Sequence, residues 1–259
     1  MAETIAVLSL KGGTGKTTTV RTLSDVLRRV GLDVLAIDLD PQGNLSDYFD
    51  VPPDASPTIA DVLSGDAKAK AAVHDGIVPA TPILAEVERS ISGKMGRELV
   101  LRKALKDARK QHDVILIDCP PALGLLTING LVAADWALIS SEAQYFALQG
   151  VQGALEVIEQ AKEFYNPDLE WLGVVMNIAD MRTVHSREAY EQLSAHYDDK
   201  VFKTVIRSSI AYAESAERAQ SILDHRPDLG ADYLALADEV LQRIGLRDAR
   251  RALKPLLAS

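Results

Sequence analysis

Lys11-Gly12-Gly13-Thr14-Gly15-Lys16-Thr17-Thr18 is the stretch on which the fold of this chain turns. It comes within one residue of the phosphate-binding pattern G-x-x-x-x-G-K-[ST]. Leu10 stands where the first glycine belongs, and a second lysine, Lys11, heads the loop. Upstream, Thr4-Ile5-Ala6-Val7-Leu8-Ser9 is a short apolar run suited to a buried strand. Downstream, Val20, Leu23, Leu27 and Val30 recur at helical spacing, which predicts a helix from Lys16 to Val30. The glycines Gly12, Gly13 and Gly15 therefore join a strand to a helix N-terminus. Unpaired N–H groups and the positive end of the helix dipole face an anion there, and the backbone can curl into an anion-binding nest. Lys16 is expected to reach the β- and γ-phosphates of a nucleotide, and the Thr17 hydroxyl to bind Mg²⁺. Thr14 and Thr18 complete the expected lining.

Two strand-like runs end in carboxylates. Val34-Leu35-Ala36-Ile37 leads into Asp38-Leu39-Asp40-Pro41-Gln42-Gly43-Asn44, and Val114-Ile115-Leu116-Ile117 ends at Asp118. Asp118 can hold Mg²⁺ through water, because hard oxygen ligands suit that ion. The order of these segments carries a resemblance. K-G-G-T-G-K-T-T is the deviant Walker A motif, Asp38–Asn44 looks like a Walker A′ segment, and Val114–Asp118 fits Walker B. Asp118-Cys119-Pro120-Pro121-Ala122-Leu123-Gly124-Leu125-Leu126-Thr127-Ile128-Asn129-Gly130 and Tyr145-Phe146-Ala147-Leu148-Gln149-Gly150 are similar to the switch segments of ParA/Soj proteins. The chain thus resembles the ParA/Soj/MinD family of ATPases, from residue 3 to about 245. The resemblance implies ATP and Mg²⁺ as ligands, with Thr17, Asp40 and Asp118 around the metal. It places Asp40 where it orients the attacking water, and sends Lys11 across a dimer interface to the partner's nucleotide. It also implies slow turnover, an ATP-dependent homodimer and stimulation by a ParB-type protein. Asn177, after Gly173-Val174-Val175-Met176, is by the same analogy an adenine contact.

Composition narrows the fold class. A 259-residue chain with 47% hydrophobic and 25% charged residues has ample material for a buried core. Strand-like and helix-like segments alternate throughout, which predicts one α/β domain over residues 1–259. The expected architecture is a P-loop NTPase with a mostly parallel sheet flanked by helices on both faces. Apolar runs near Leu116, Leu138 and Val174 lack strict alternation, as strands covered on both sides should. Residues 245–259 read as a basic tail. The first strand begins at once, so neither a signal peptide nor an N-terminal helix-turn-helix domain is expected, and the reading is cytoplasmic. A single cysteine excludes an internal disulfide. Cys119 reads as a packing residue beside the site, and the five histidines show no metal-ligand spacing. Val51–Pro57 reads as a loop, and Ile77-Val78-Pro79-Ala80 as a family strand in an otherwise unassigned stretch from Ser64 to Arg97.

The resemblance further implies a DNA-segregation switch that binds nonspecific double-stranded DNA in the ATP state and associates with the nucleoid. A net charge of −9 is compatible with this if a local basic patch exists. Candidate contacts are Arg182, Arg187, Arg207 and Arg218, with Arg226 nearby. The family pattern of a proline and two arginines after Ile206 is replaced by Arg207-Ser208-Ser209-Ile210-Ala211, with Ser208 and Ala211 at the arginine positions. Two alternatives belong to the same family: a protein-cargo positioning ATPase, and a MinD-like membrane regulator. The tail after Leu246 argues against a membrane helix, since it lacks aromatics and Pro255 should break it.

Overall fold

The computed structural model describes residues 1–144 and 146–258. Its seven strands are β1 (Glu3–Leu8), β2 (Val34–Asp38), β3 (Ile77–Val78), β4 (Val114–Asp118), β5 (Trp136–Glu142), β6 (Glu170–Ala179) and β7 (Val201–Arg207). They form one sheet in the order β3-β2-β4-β1-β5-β6-β7. Every strand pairing is parallel, so the sheet is wholly rather than mostly parallel among the described residues. β1 sits near the middle, with Ile5 opposite Leu116 of β4 and Trp136 of β5. The chain leaves β1 toward one edge and later returns to build the other. The crevice at the carboxyl ends beside β1 is therefore a topological switch point, where such sheets bind ligands.

Helices cover both faces. In chain order they are α1 (Lys16–Arg29), α2 (Asn44–Tyr48), α3 (Ile59–Ser64), α4 (Ile83–Ile91), α5 (Val100–Ala104), α6 (Ala108–Gln111) and α7 (Leu125–Ala133). They continue with α8 (Ala147–Phe164), α9 (Val184–Tyr197), α10 (Ala211–Glu217), α11 (Ile222–His225), α12 (Pro227–Arg243) and α13 (Arg247–Leu257). Successive strand residues point to opposite sides. Ile5, Val7, Ala36 and Leu116 join a core with Val20, Leu23 and Leu27 of α1 and Leu236 and Val240 of α12. Ala6, Leu8, Ile37 and Ile117 join a second core with Leu63 of α3, Leu101 of α5, Leu131 of α7 and Val151 of α8. Both faces being buried explains the unbroken apolar runs in the sequence.

Three local readings change. β3 keeps only Ile77 and Val78 of the four residues expected there. Asn177 lies inside β6, not at its end. Pro255 does not break the last helix: α13 runs through it to Leu257. Ala249 and Leu253 are buried against α12, and Arg250 bonds Asp238 of α12 at 2.7 Å. Pro255 lies in the final turn, where a missing N–H and a displaced carbonyl disturb little of the ladder. The basic tail is thus a packed helix of the domain.

Candidate functional site

The loop between β1 and α1 is open toward solvent but anchored from below. Gly13 and Gly15 have φ of 78° and 82°, a left-handed conformation that side-chain-bearing residues disfavour. Gly15 is the N-cap of α1 and provides no side-chain cap, so the first N–H groups of the helix stay available for a ligand. Lys16 is only 6% exposed and its Nζ donates to Ser9 Oγ at 3.0 Å. Ser9 Oγ also receives the Thr14 hydroxyl at 2.9 Å and donates to the Lys11 carbonyl at 2.7 Å. Beneath, Asn177 Nδ2 donates to Ser140 Oγ (2.6 Å), and Ser140 Oγ donates to the Thr14 carbonyl (2.7 Å). β6 thereby supports the loop through β5. A Cβ on Gly15 would come within 3.2 Å of Asn177 Cγ, so the two are in close contact.

Two carboxylates stand side by side at the strand ends, Asp38 opposite Asp118 in register. Burial pushes Asp118 up to about 8, with the Asp38 charge adding; the Thr17 bond and Lys16 work against this. Burial likewise pushes Asp38 up to about 6, opposed by hydrogen bonds from Ser46 and Asp40. Thr17 Oγ1 donates to Asp118 Oδ2 at 2.7 Å, and Asp118 Oδ1 is buried without a partner. A buried carboxylate oxygen lacking a donor, next to a threonine hydroxyl and a second carboxylate, fits a hard cation. No group of three or more His, Cys, Asp or Glu side chains is placed to hold a metal ion among the described residues. Mg²⁺ takes few protein ligands and completes its shell with water and phosphate. Asp40, half-buried, is placed by Asp38, which accepts its backbone N–H at 3.0 Å. Burial raises the Cys119 thiol far above its ordinary value, consistent with a packing role.

The cavity over the loop has a volume of ≈ 590 Å³. Lys16, Thr17, Tyr48, Asn177, Ser208 and Tyr212 are among the residues that line it. Asn177 Oδ1 is buried and unpartnered. Ile178, at the cavity wall, has φ of 54°, a strained value for a β-branched residue. Lys11 turns the other way from Lys16. Its side chain is 64% exposed, and Nζ pairs with Glu142 at 2.7 Å and Gln144 at 3.3 Å. Exposed apolar residues lie at this end of the sheet: Leu10 beyond β1, Phe146 beyond β5, Ile178 near the end of β6 and Ile210 beyond β7.

A family model described as an AAA domain matches residues 2–171. The chain is 36% identical over 249 residues to the sporulation initiation inhibitor protein Soj of Bacillus subtilis, covering 93% of this chain and 98% of that one. It is 38% identical over 246 residues to the chromosome-partitioning ATPase Soj of Thermus thermophilus, covering 93% and 96%. The chain belongs to the ParA/Soj family of ATPases. Among solved structures it is similar to a cobyrinic acid a,c-diamide synthase of Mycobacterium smegmatis with bound ADP and magnesium (TM-score 0.77, 35% identity, 87% of this chain and 95% of that one). It is also similar to apo McdA of Cyanothece (TM-score 0.83, 25% identity, 95% and 100%).

The family's second signature is only partly described, since Tyr145 lies outside the described residues. The expected DNA arginines are mostly neutralised. Arg182 makes two bonds to Asp180, at 2.8 and 2.9 Å. Arg207 pairs with Asp232 at 2.9 Å and borders the nucleotide-sized cavity, and Arg226 pairs with Asp228 at 2.8 Å. Arg187 donates to the Met181 and Arg182 carbonyls. Arg187 and the exposed Arg218 make no ion pair among the described residues. The sequence reading missed Ser9, Ser46, Ser140 and Glu142 altogether, because a lone serine or glutamate at a strand end carries no pattern.

Proposed function

We propose that this ATPase works as a dimerising switch for DNA segregation. Lys16 and the loop amides hold the phosphates of ATP, Asn177 borders the base end, and Thr17, Asp40 and Asp118 surround Mg²⁺. The metal, when bound, offsets phosphate charge and orients the terminal phosphoryl group. Asp40 positions the attacking water, and Lys11 of a second subunit supports the charge that develops on the transferred group. One observation carries the dimer: the two lysines of a single loop diverge, one buried under its own cradle and the other presented outward among exposed apolar residues. A subunit arranged this way lacks a cation that another copy can supply.

In the ATP state the dimer binds duplex DNA without sequence preference and sits on the nucleoid. A ParB-type protein stimulates hydrolysis and releases it. Arg187 and Arg218, both exposed and without an ion pair among the described residues, are the most available of the family-region cations. A membrane tether is disfavoured, since α13 spends Ala249 and Leu253 on packing with α12. No helix among the described residues is long and apolar enough to cross a membrane. Sedimentation of Asp40→Ala tests the switch. Dimers with ATP and monomers with ADP are expected; monomers at micromolar protein with saturating ATP would refute it.

A further inference from the structure

The ion pairs that neutralise Arg182, Arg207 and Arg226 make the opposite end of the molecule conspicuous. Residues 94–112 hold seven Lys and Arg against two acids, in a chain whose net charge is −9. Two grooves flank the ridge made by α5 and α6. One, of ≈ 710 Å³, is lined by Lys68, Lys70, Lys94 and Lys103. The other, of ≈ 550 Å³, shares Lys103 and adds Arg102 and Lys106. All six cations are exposed, and the five lysines make no ion pair among the described residues. Asp107 is the one acid lining the first groove, and Lys110 holds it at 3.0 Å. In the second groove Asp135 is held by Arg109 at 2.7 Å, leaving Asp168.

We infer that this lysine surface is a docking site for the phosphate backbone of duplex DNA, separate from the arginines near the ATP cavity. The chemistry of the patch selects the partner. Protein interfaces are depleted in lysine and anchored by aromatic residues, and neither groove is lined by Phe, Trp or Tyr, Tyr165 meeting Arg102 through its backbone carbonyl at the edge of the second. Single-stranded nucleic acid is held by stacking on aromatic rings, which the same absence disfavours. Long, unpaired lysines suit phosphates without reading bases.

Position adds a second consequence. α5 and α6 lead into the start of β4, and Met1 and Asp135 near the starts of β1 and β5 line the second groove. The surface therefore lies at the amino ends of the strands, about 17 Å from the loop end by the length of a five-residue strand. It is complete in one subunit. Pairing through the loops at the carboxyl ends leaves one such surface on each outer pole of the dimer, so it holds duplex beside the ATP-dependent contact and not across the dimer.

The inference rests on the DNA reading above, and its test separates the two. The probe is a labelled duplex of arbitrary sequence, titrated without nucleotide and with ATP. The combined variant Lys68→Glu, Lys103→Glu, Lys106→Glu is compared with Arg187→Ala, Arg218→Ala. Wild type should bind with ATP at low salt, and more weakly without nucleotide. The lysine variant should keep its melting temperature, lose at least about tenfold in affinity, and lower the slope of log affinity against log salt by about 3 per subunit. If the lysine variant binds like wild type while the arginine variant does not, the lysine surface is refuted and the DNA reading survives. Wild type that binds duplex in no nucleotide state refutes the DNA reading and this surface together. Binding of polyglutamate in place of duplex would replace DNA with an acidic protein.

Discussion

Gly130→Ala tests how tightly the helix after the Asp118 segment is seated. Gly130 lies within α7, and a Cβ there would stand 2.8 Å from Cys119 Sγ, 3.4 Å from Leu39 Cδ1 and 3.6 Å from Ile117 Cγ2. In an open helix, Gly to Ala would stabilise by about 1 kcal/mol. Here Cys119 is fully buried, and its two-atom side chain cannot swing away from a contact so far inside van der Waals distance. Overpacking of this kind costs about 1–3 kcal/mol, and the overlap with sulfur places it near the upper end. The expected net loss is about 2 kcal/mol. Cys119→Ala removes Sγ and by itself costs about 1 kcal/mol in lost burial. Combined, the two should interact favourably by about 2 kcal/mol, because the new methyl enters the space that sulfur vacates. Urea unfolding of the four proteins measures the cycle. ATP turnover gives a second readout, since displacement of Cys119 moves its neighbour Asp118. Stabilisation by Gly130→Ala, or simple additivity in the double variant, would refute the close seating of α7 on β4.

Four further outcomes are expected. Lys16→Ala should abolish ATP binding, whereas Asp40→Ala should bind ATP but not hydrolyse it, as read by equilibrium binding and phosphate release. Gly12→Val should leave the monomer's melting temperature within about 0.5 kcal/mol equivalent of wild type, since nothing lies within 4 Å of a Cβ at Gly12; it should still prevent ATP-dependent dimers in sedimentation. Ile178→Gly should raise stability toward urea by about 1 kcal/mol, because relief of the positive φ outweighs the added chain entropy; a loss would contradict strain of that size. In chelator, stability should fall as pH rises from about 4 to about 8. Asp38 and Asp118 carry folded values of about 6 and about 8, above their unfolded value, so the folded state holds more protons than the unfolded one in that window. Asp118→Asn should flatten the upper part of that slope.

The parts of the site that were legible in the sequence are those whose chemistry is local. A glycine loop must adopt positive φ whatever surrounds it, and Asp38 and Asp118 end apolar runs that could only be buried strands. What stayed hidden depends on contacts between distant segments. Glu142 meets Lys11 across 131 residues, and Asp232 of α12 reaches Arg207 of β7. No periodicity marks either. Asn177 was identified, but its bond to Ser140 and its contact with Gly15 depend on the strand order β1-β5-β6, which follows only from the finished sheet. Pro255 misled because local helix propensity was weighed without the burial of Leu253 on α12.

The divergence of Lys11 and Lys16 has a genetic consequence. In the proposed dimer each active site is a mosaic, with Asp40 and Lys16 from one chain and Lys11 from the other. A Lys11→Ala chain therefore spoils its neighbour's site and keeps its own serviceable, while an Asp40→Ala chain does the reverse. Two alleles, each silent alone, would complement when co-expressed, because every mixed pair rebuilds one intact site. An enzyme whose cations both served their own nucleotide could show no such rescue.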